Sequence, residues 1–135
     1  MPEPDAKTPP GFTDYEKKAQ EVMSDLKKTA DLIEQASQKA RAKAGTLRGV
    51  WKDLQDLFRL LRAWASRSYT RIPWGAVAVG LAGVLYFVNP LDLAPDFVPF
   101  VGYIDDATVI AFVVRSIQKE LERFRQWETK EATQN

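Results

Sequence analysis

Apolar residues recur at alternating steps of four and three across residues 15–64. This repeat of about 3.5 residues is typical of a helix with one apolar seam that faces a partner helix. Only Thr29 and Lys43 interrupt the seam, and Asp14 is placed to cap its first turn. Because Gly45 weakens the middle, the pattern predicts either one long amphipathic helix or two helices joined near that residue.

The seam has three possible partners. It can pack inside the chain, it can form a coiled coil with another chain, or it can lie on an anionic membrane. The third possibility arises because the polar face of its second half is basic, with Arg48, Lys52, Arg59, Arg62 and Arg67. The partners predicted for residues 15–64 are therefore a second copy of the chain, another helical protein, or membrane lipid.

Residues 72–88, "IPWGAVAVGLAGVLYFV", contain no charged side chain. Their length is at the lower limit for a membrane-spanning helix, and it also suits a buried central helix of a soluble bundle. Small residues on one face would let another helix approach closely in lipid. These residues are Ala76, Gly80 and Gly83. With Trp74 and Tyr86 placed as interfacial aromatics, the pattern favours the membrane span.

A second helical arm follows residues 89–106, and its apolar side chains share one face. They are Val109, Ile110, Val113, Ile117, Leu121 and Phe124. The predicted fold is all-α, with a long N-terminal amphipathic helix or helix pair followed by an apolar helical hairpin with a Pro/Asp-rich connector. The predicted segments are a disordered tail (1–13), an amphipathic helical region (14–68), the hairpin domain (69–127) and a frayed tail (128–135).

The connector, "NPLDLAPDFVPFVGYIDD", places four carboxylates between the two apolar arms. Its prolines prevent a regular helix, and Asp105 or Asp106 can open the second helix by accepting unpaired backbone N–H groups. Capping therefore explains the carboxylates. The functional alternative is a site for a divalent cation such as magnesium or calcium, which bind oxygen ligands. Its candidate ligands are Asp92, Asp96, Asp105 and Asp106; a general acid–base pair is a third, weaker reading.

Composition excludes most catalytic sites. The chain has no cysteine and no histidine, so thiol nucleophiles, histidine bases and the usual transition-metal ligands are absent. We therefore predict no enzyme, no catalytic residue and no cofactor other than the candidate cation. A net charge of +1 with no groove-reading motif predicts no nucleic-acid partner.

Charge is distributed in blocks. Residues 41–71 hold eight basic and two acidic residues, whereas residues 72–114 hold no basic and four acidic ones. The basic flanks of the hairpin are Arg62, Arg67 and Arg71 before it, and Arg115, Lys119, Arg123 and Arg125 after its apolar part. Since basic residues favour the cytoplasmic side of membrane helices, this pattern predicts a membrane hairpin with both flanks, and therefore both termini, in the cytoplasm.

The run "YFVNPLDLAPDFVPFVGYIDDATVI" resembles the signature of the bacterial YkvA-like family. The matching positions are Pro90, Asp92, Pro95, Asp96, Pro99, Gly102, Tyr103, Asp105 and Asp106. The resemblance covers roughly residues 69–117 and implies a small helical domain, often described as a membrane protein, without an established activity. The predicted function is a non-catalytic membrane-associated helical protein. Because the resemblance is to a bacterial family, the predicted location is the bacterial inner membrane. The alternatives are a soluble helical-bundle interaction module and a divalent-cation-binding protein.

Overall fold

The computed structural model describes residues 8–9, 11–88 and 106–134, and every regular element within them is helical. The elements are α1 (Phe12–Met23), α2 (Leu26–Ala42), a 3₁₀ turn (Arg48–Val50), α3 (Trp51–Ala65), α4 (Trp74–Val88), α5 (Asp106–Ser116) and α6 (Gln118–Gln134). The predicted all-α class is confirmed.

The N-terminal region breaks earlier than the glycine pattern predicts. Asp25 separates α1 from α2, and its Oδ1 accepts hydrogen bonds from the backbone N–H groups of Lys27 and Lys28 at 3.1 Å each. The Thr29 hydroxyl donates to the carbonyl of Val22 at 2.9 Å, across the break. Thr29 therefore interrupts the apolar seam but is buried with its hydroxyl satisfied. Three helices replace the predicted one or two.

Helix α1 begins before the predicted helical region. Its N-cap is Gly11, whose φ of 77° lies in the left-handed region, so the prediction of Asp14 as the cap is wrong. Asp14 lies in the first turn, where its charge still favours the helix dipole. Phe12 was placed in the disordered tail, but it is 2% exposed and its ring centroid lies 5.2 Å from that of Phe112.

The apolar seam is buried inside the chain. Its buried members are Tyr15, Ala19, Thr29, Ile33, Ala36, Ala40, Leu47, Leu54, Leu57, Leu61 and Trp64. Val22 and Val50 are partly buried, Lys43 is exposed, and Leu26 remains 36% exposed at the start of α2. This arrangement supports intramolecular packing, since a second chain could reach most of the seam only by opening the core.

Helix α4 is the central helix of the core and packs against α1, α2, α3 and α5. It has 15 residues and is therefore about 22 Å long, shorter than the roughly 30 Å of a bilayer core. Among the residues described, no helix is long and apolar enough to cross a membrane. Helices pack on several sides of α4, which accounts for its uncharged surface and corresponds to the alternative prediction of a buried central helix.

Small residues on α4 allow two neighbouring helices to approach closely. A Cβ atom on Gly83 would lie 2.5 Å from Cγ2 of Val113 in α5, a distance that real contacts do not reach. A Cβ on Gly80 would lie 3.3 Å from Cδ2 of Leu61 in α3. The close helix–helix contacts predicted at these glycines are therefore present, and they lie within the protein core.

The second arm is interrupted at Ile117, which separates α5 from α6. All six residues of its predicted apolar face are buried. Helix α6 also continues to Gln134, through the segment predicted to be a frayed tail. Glu128 explains part of this extension, because it accepts a hydrogen bond of 2.9 Å from Nε of Arg59 and ties the end of α6 to α3.

Candidate functional site

The predicted cation site lies mostly outside the described residues. Asp92, Asp96 and Asp105 fall in the segment 89–105, so their prediction as ligands stays a prediction. Asp106 opens α5, as predicted for this position or its neighbour, and its Oδ2 lies 2.9 Å from Nζ of Lys43. Within residues 8–9, 11–88 and 106–134 there is no cluster of three acidic residues able to hold a metal ion.

Two lysines of α2 hold the helix ends on either side of that segment. Nζ of Lys39 donates to the carbonyl of Phe87 at 2.6 Å and lies 5.2 Å from the centre of its ring. Lys43, four residues later on the same face of α2, pairs with Asp106. A cation near the carbonyl end of α4 interacts favourably with the helix dipole. The interruption of the seam at Lys43 thus has a structural reason.

Tyr86 is a buried polar residue near this position. It is 1% exposed, and its hydroxyl has no hydrogen-bond partner among the described residues. Burial raises the pKa of the phenol above its usual 10.0, and the negative charge of Asp106 raises it further. The ring centroid of Tyr86 lies 5.0 Å from that of Tyr15. A phenol with a raised pKa stays protonated at neutral pH, so it does not supply a base.

Replacing Tyr86 with phenylalanine is expected to leave the free energy of unfolding unchanged or to raise it by up to about 1 kcal/mol. The reason is that an unsatisfied buried hydroxyl carries a desolvation penalty that phenylalanine avoids. Urea denaturation of the two proteins measures the difference. A loss of more than about 1 kcal/mol would show that the hydroxyl has a partner in the folded protein.

An ionic network joins α3 to α6. Asp56, whose side chain is 5% exposed, accepts hydrogen bonds from Arg125 at 2.7 Å and Arg59 at 2.5 Å. Arg125 also contacts Asp53, and Arg59 contacts Glu128. Burial alone raises the pKa of Asp56, but the two arginines outweigh it, so the pKa lies below its usual 3.8. Each charge here is paired within the protein, so the network is structural. Arg125, which the sequence analysis placed in the basic flank after the hairpin, is therefore part of this network.

Helix α3 ends in a strained turn. The N–H of Ser68 donates to the carbonyl of Ala63 at 2.9 Å, and the N–H of Arg67 donates to that of Trp64 at 3.0 Å. This pair of bonds defines a Schellman motif, in which glycine is the usual left-handed residue. Here that residue is Arg67, with a φ of 66°. A side chain in this conformation costs on the order of 1 kcal/mol.

Aromatic side chains surround this turn. The guanidinium of Arg67 lies 5.6 Å from the ring centre of Trp64, whose centroid is 6.2 Å from that of Trp74. Trp74 is 54% exposed, although it begins the most apolar helix. Among the described residues, the other large apolar side chain that is exposed is Leu26.

A cleft of about 330 Å³ lies between the α3–α4 turn and α6. It is lined by Tyr69, Arg71, Arg123, Gln126, Trp127 and Lys130. The ring centroids of Tyr69 and Trp127 are 5.0 Å apart. Arg123 pairs with Glu120 at 3.4 Å, whereas Arg71 and Lys130 form no ion pair within the part of the chain that the structure describes. We call Arg67, Arg71, Trp74, Arg123, Trp127 and Lys130 the basic turn surface.

The sequence analysis identified several residues of the basic turn surface, but it did not show that they lie close together. It identified Arg67, Arg71 and Arg123 as flanks of a hairpin and Trp74 as an interfacial aromatic. It missed Trp127, and it missed Lys130, which lies in the segment predicted to fray. The cleft joins residues more than 50 positions apart, and no local pattern reports that proximity.

Comparison with known proteins places the chain in a family. Residues 76–112 match the family described as "Protein of unknown function (DUF1232)". The chain is also 33% identical over 101 residues to the "Uncharacterized membrane protein YkvA" of Bacillus subtilis (strain 168), an alignment covering 75% of this chain and 95% of that protein. No solved structure matches the chain. On this similarity, the chain belongs to the YkvA-like family of proteins of unknown function.

Proposed function

We propose that the protein is a non-catalytic, membrane-associated helical protein that contacts the bilayer with the end of its bundle where α3 meets α4. The observation that carries the proposal is the 54% exposure of Trp74 in a protein whose other large apolar side chains are mostly buried. Tryptophan is favoured at the boundary between water and lipid, where its ring is partly buried and its N–H stays hydrated. The similarity to a protein named as a membrane protein supports the same conclusion.

The charge around Trp74 supports a particular membrane surface. Residues 66–73 contain Arg67 and Arg71 and no acidic residue. The cytoplasmic leaflet carries anionic lipids and attracts basic segments. The proposed location is therefore the cytoplasmic face of a bacterial inner membrane, with both termini on that side.

The proposed absence of catalysis rests on chemistry. The chain has neither histidine nor cysteine, and the most buried carboxylate described, Asp56, is held ionised by two arginines. A group held in this way can neither take up nor release a proton near neutral pH. This supports a structural or interaction role over an enzymatic one.

Membrane fractionation tests the proposal. We expect the protein to sediment with membranes at low ionic strength and to be released by high salt or alkaline carbonate, because surface contacts are screened. The Trp74→Ala variant should sediment less, while Leu26→Ala, which alters the other exposed apolar side chain, should behave like the parent. Retention after carbonate would contradict a surface contact. Complete absence from the membrane fraction would contradict the proposal itself.

A helical-bundle interaction module is the second candidate. The observation that favours it is the burial of α4 within the core, where neighbouring helices cover the most apolar helix of the described residues. Contact with a second copy or another helical protein through residues 15–64 would have to use the open seam position at Leu26. In this case Leu26→Ala would lower the apparent mass in solution, and Trp74→Ala would not.

A further inference from the structure

We propose that the basic turn surface binds the phosphate groups of anionic phospholipids, with the cleft between the α3–α4 turn and α6 as the phosphate site. The inference rests on the proposed membrane association and adds the chemistry that is recognised. It differs from a general attraction of basic residues to lipid, because it assigns the contact to particular side chains.

Cations from two separate elements meet at the cleft. Arg71 comes from the turn, and Arg123 and Lys130 come from α6, where a spacing of seven residues places them on one face. Glu120 is the acidic neighbour, and it pairs with Arg123. Three positive charges against one negative charge leave an excess of two, which favours an anionic occupant. Guanidinium groups also match phosphate oxygens geometrically.

The cleft fits a phosphate presented by a surface better than a free ion. The side chain of Arg123 is 64% exposed, and Arg71 and Lys130 are also exposed, so the site is open. Pockets for small ligands usually enclose most of the ligand. The indole of Trp74, at the same α3–α4 turn, would give nothing to a free phosphate ion, but it can enter the interface beneath lipid headgroups.

Arg67 is an independent observation that points the same way. It occupies a left-handed position that suits glycine, so the turn carries an arginine where the backbone is strained. Strain of this kind at an exposed position is consistent with a functional side chain. The guanidinium lies against Trp64, whose ring contacts that of Trp74, and thus adds a cation beside the exposed indole.

Vesicle co-sedimentation of the full chain tests the assignment. One set of vesicles contains phosphatidylcholine alone, and the other contains added phosphatidylglycerol. We expect binding only to the second set. The double variant Arg123→Gln/Lys130→Gln should weaken it about 25-fold, at roughly fivefold for each cation removed near the surface. The double variant Lys27→Gln/Lys28→Gln, with the same change of net charge on exposed α2 residues, is the control and should change binding much less.

Arg67→Gly separates binding from folding. Because glycine is favoured at this position, the variant should weaken vesicle binding about fivefold without lowering Tm. If Arg67→Gly binds vesicles as strongly as the parent does, Arg67 is not part of the lipid-binding surface. Equal weakening by the two double variants would overturn the cleft assignment but leave membrane association intact. Lack of binding to either vesicle would overturn both. A larger rise in Tm with inorganic phosphate than with anionic vesicles would overturn the choice of lipid.

Discussion

Replacing Asp56 with asparagine is expected to lower the free energy of unfolding by about 2–3 kcal/mol. The carboxylate is nearly buried and accepts hydrogen bonds from Arg125 and Arg59, and bonds between charged groups are the stronger ones in proteins. The substitution leaves both arginines with weaker acceptors, although each keeps one exposed partner. Urea denaturation at neutral pH measures the loss.

The control is Asp53→Asn, which removes a carboxylate from the same network. Its side chain is 45% exposed, so we expect a loss below about 1 kcal/mol. Similar losses for the two variants would show that burial of Asp56 is not what makes it important.

Acid provides a second measurement on Asp56. Because its pKa is lower in the folded state than the usual 3.8, its ionised form contributes stability at all pH values above the unfolded pKa. That contribution is lost as pH falls from the unfolded pKa through the folded one. The difference in stability between the parent and Asp56→Asn should therefore be constant near neutral pH and shrink in this acidic window. A difference that grows on acidification would contradict the ionised assignment.

Replacing Gly83 with alanine is expected to destabilise the protein by up to about 2 kcal/mol. The new methyl group would meet Val113, a stiff β-branched residue, at a distance that requires α4 and α5 to separate. Overpacking of this kind costs about 1–3 kcal/mol, and the better helix propensity of alanine offsets about 1 kcal/mol. Thermal and urea denaturation both report the change.

The other glycines of α4 supply matched controls. Gly75→Ala meets no atom within 4 Å and should be neutral or slightly stabilising. Gly80→Ala meets only the ends of flexible side chains, of which Cδ2 of Leu61 is the nearest at 3.3 Å. Adding Val113→Ala to Gly83→Ala should destabilise less than the sum of the two single losses, because the alanine at 113 makes room for the methyl group. Additive losses would mean that the two residues do not clash.

Periodicity was sufficient to predict the helical class and much of the core. The seam of residues 15–64 and the apolar face of the second arm are buried almost as their spacing predicts. Residues 72–88 suit both a membrane span and a buried helix, because an apolar helix enclosed by other helices and one enclosed by lipid have the same composition. In the structure α4 is enclosed by other helices. The break at Asp25 was missed because the apolar period continues through it.

The candidate sites were less predictable, since they depend on distant residues. Lys39 bonds to a carbonyl 48 residues away, and Lys43 pairs with a carboxylate 63 residues away. A sequence pattern shows Lys43 only as a gap in the apolar series. The cleft likewise forms only because the folded bundle brings Arg71 next to α6. The prediction for Asp92, Asp96 and Asp105 falls outside the described residues.

The two α2 lysines have a consequence for cooperativity. The family match begins at residue 76, whereas α2 ends at Ala42. Nevertheless Lys39 of α2 bonds to the end of one matched helix, and Lys43, the C-cap residue of α2, bonds to the start of the other. These bonds offset part of the entropy that is lost when the chain between the two matched helices is closed into a loop. Residues 12–42 and the family segment should open and exchange amide hydrogens together, as one foldon.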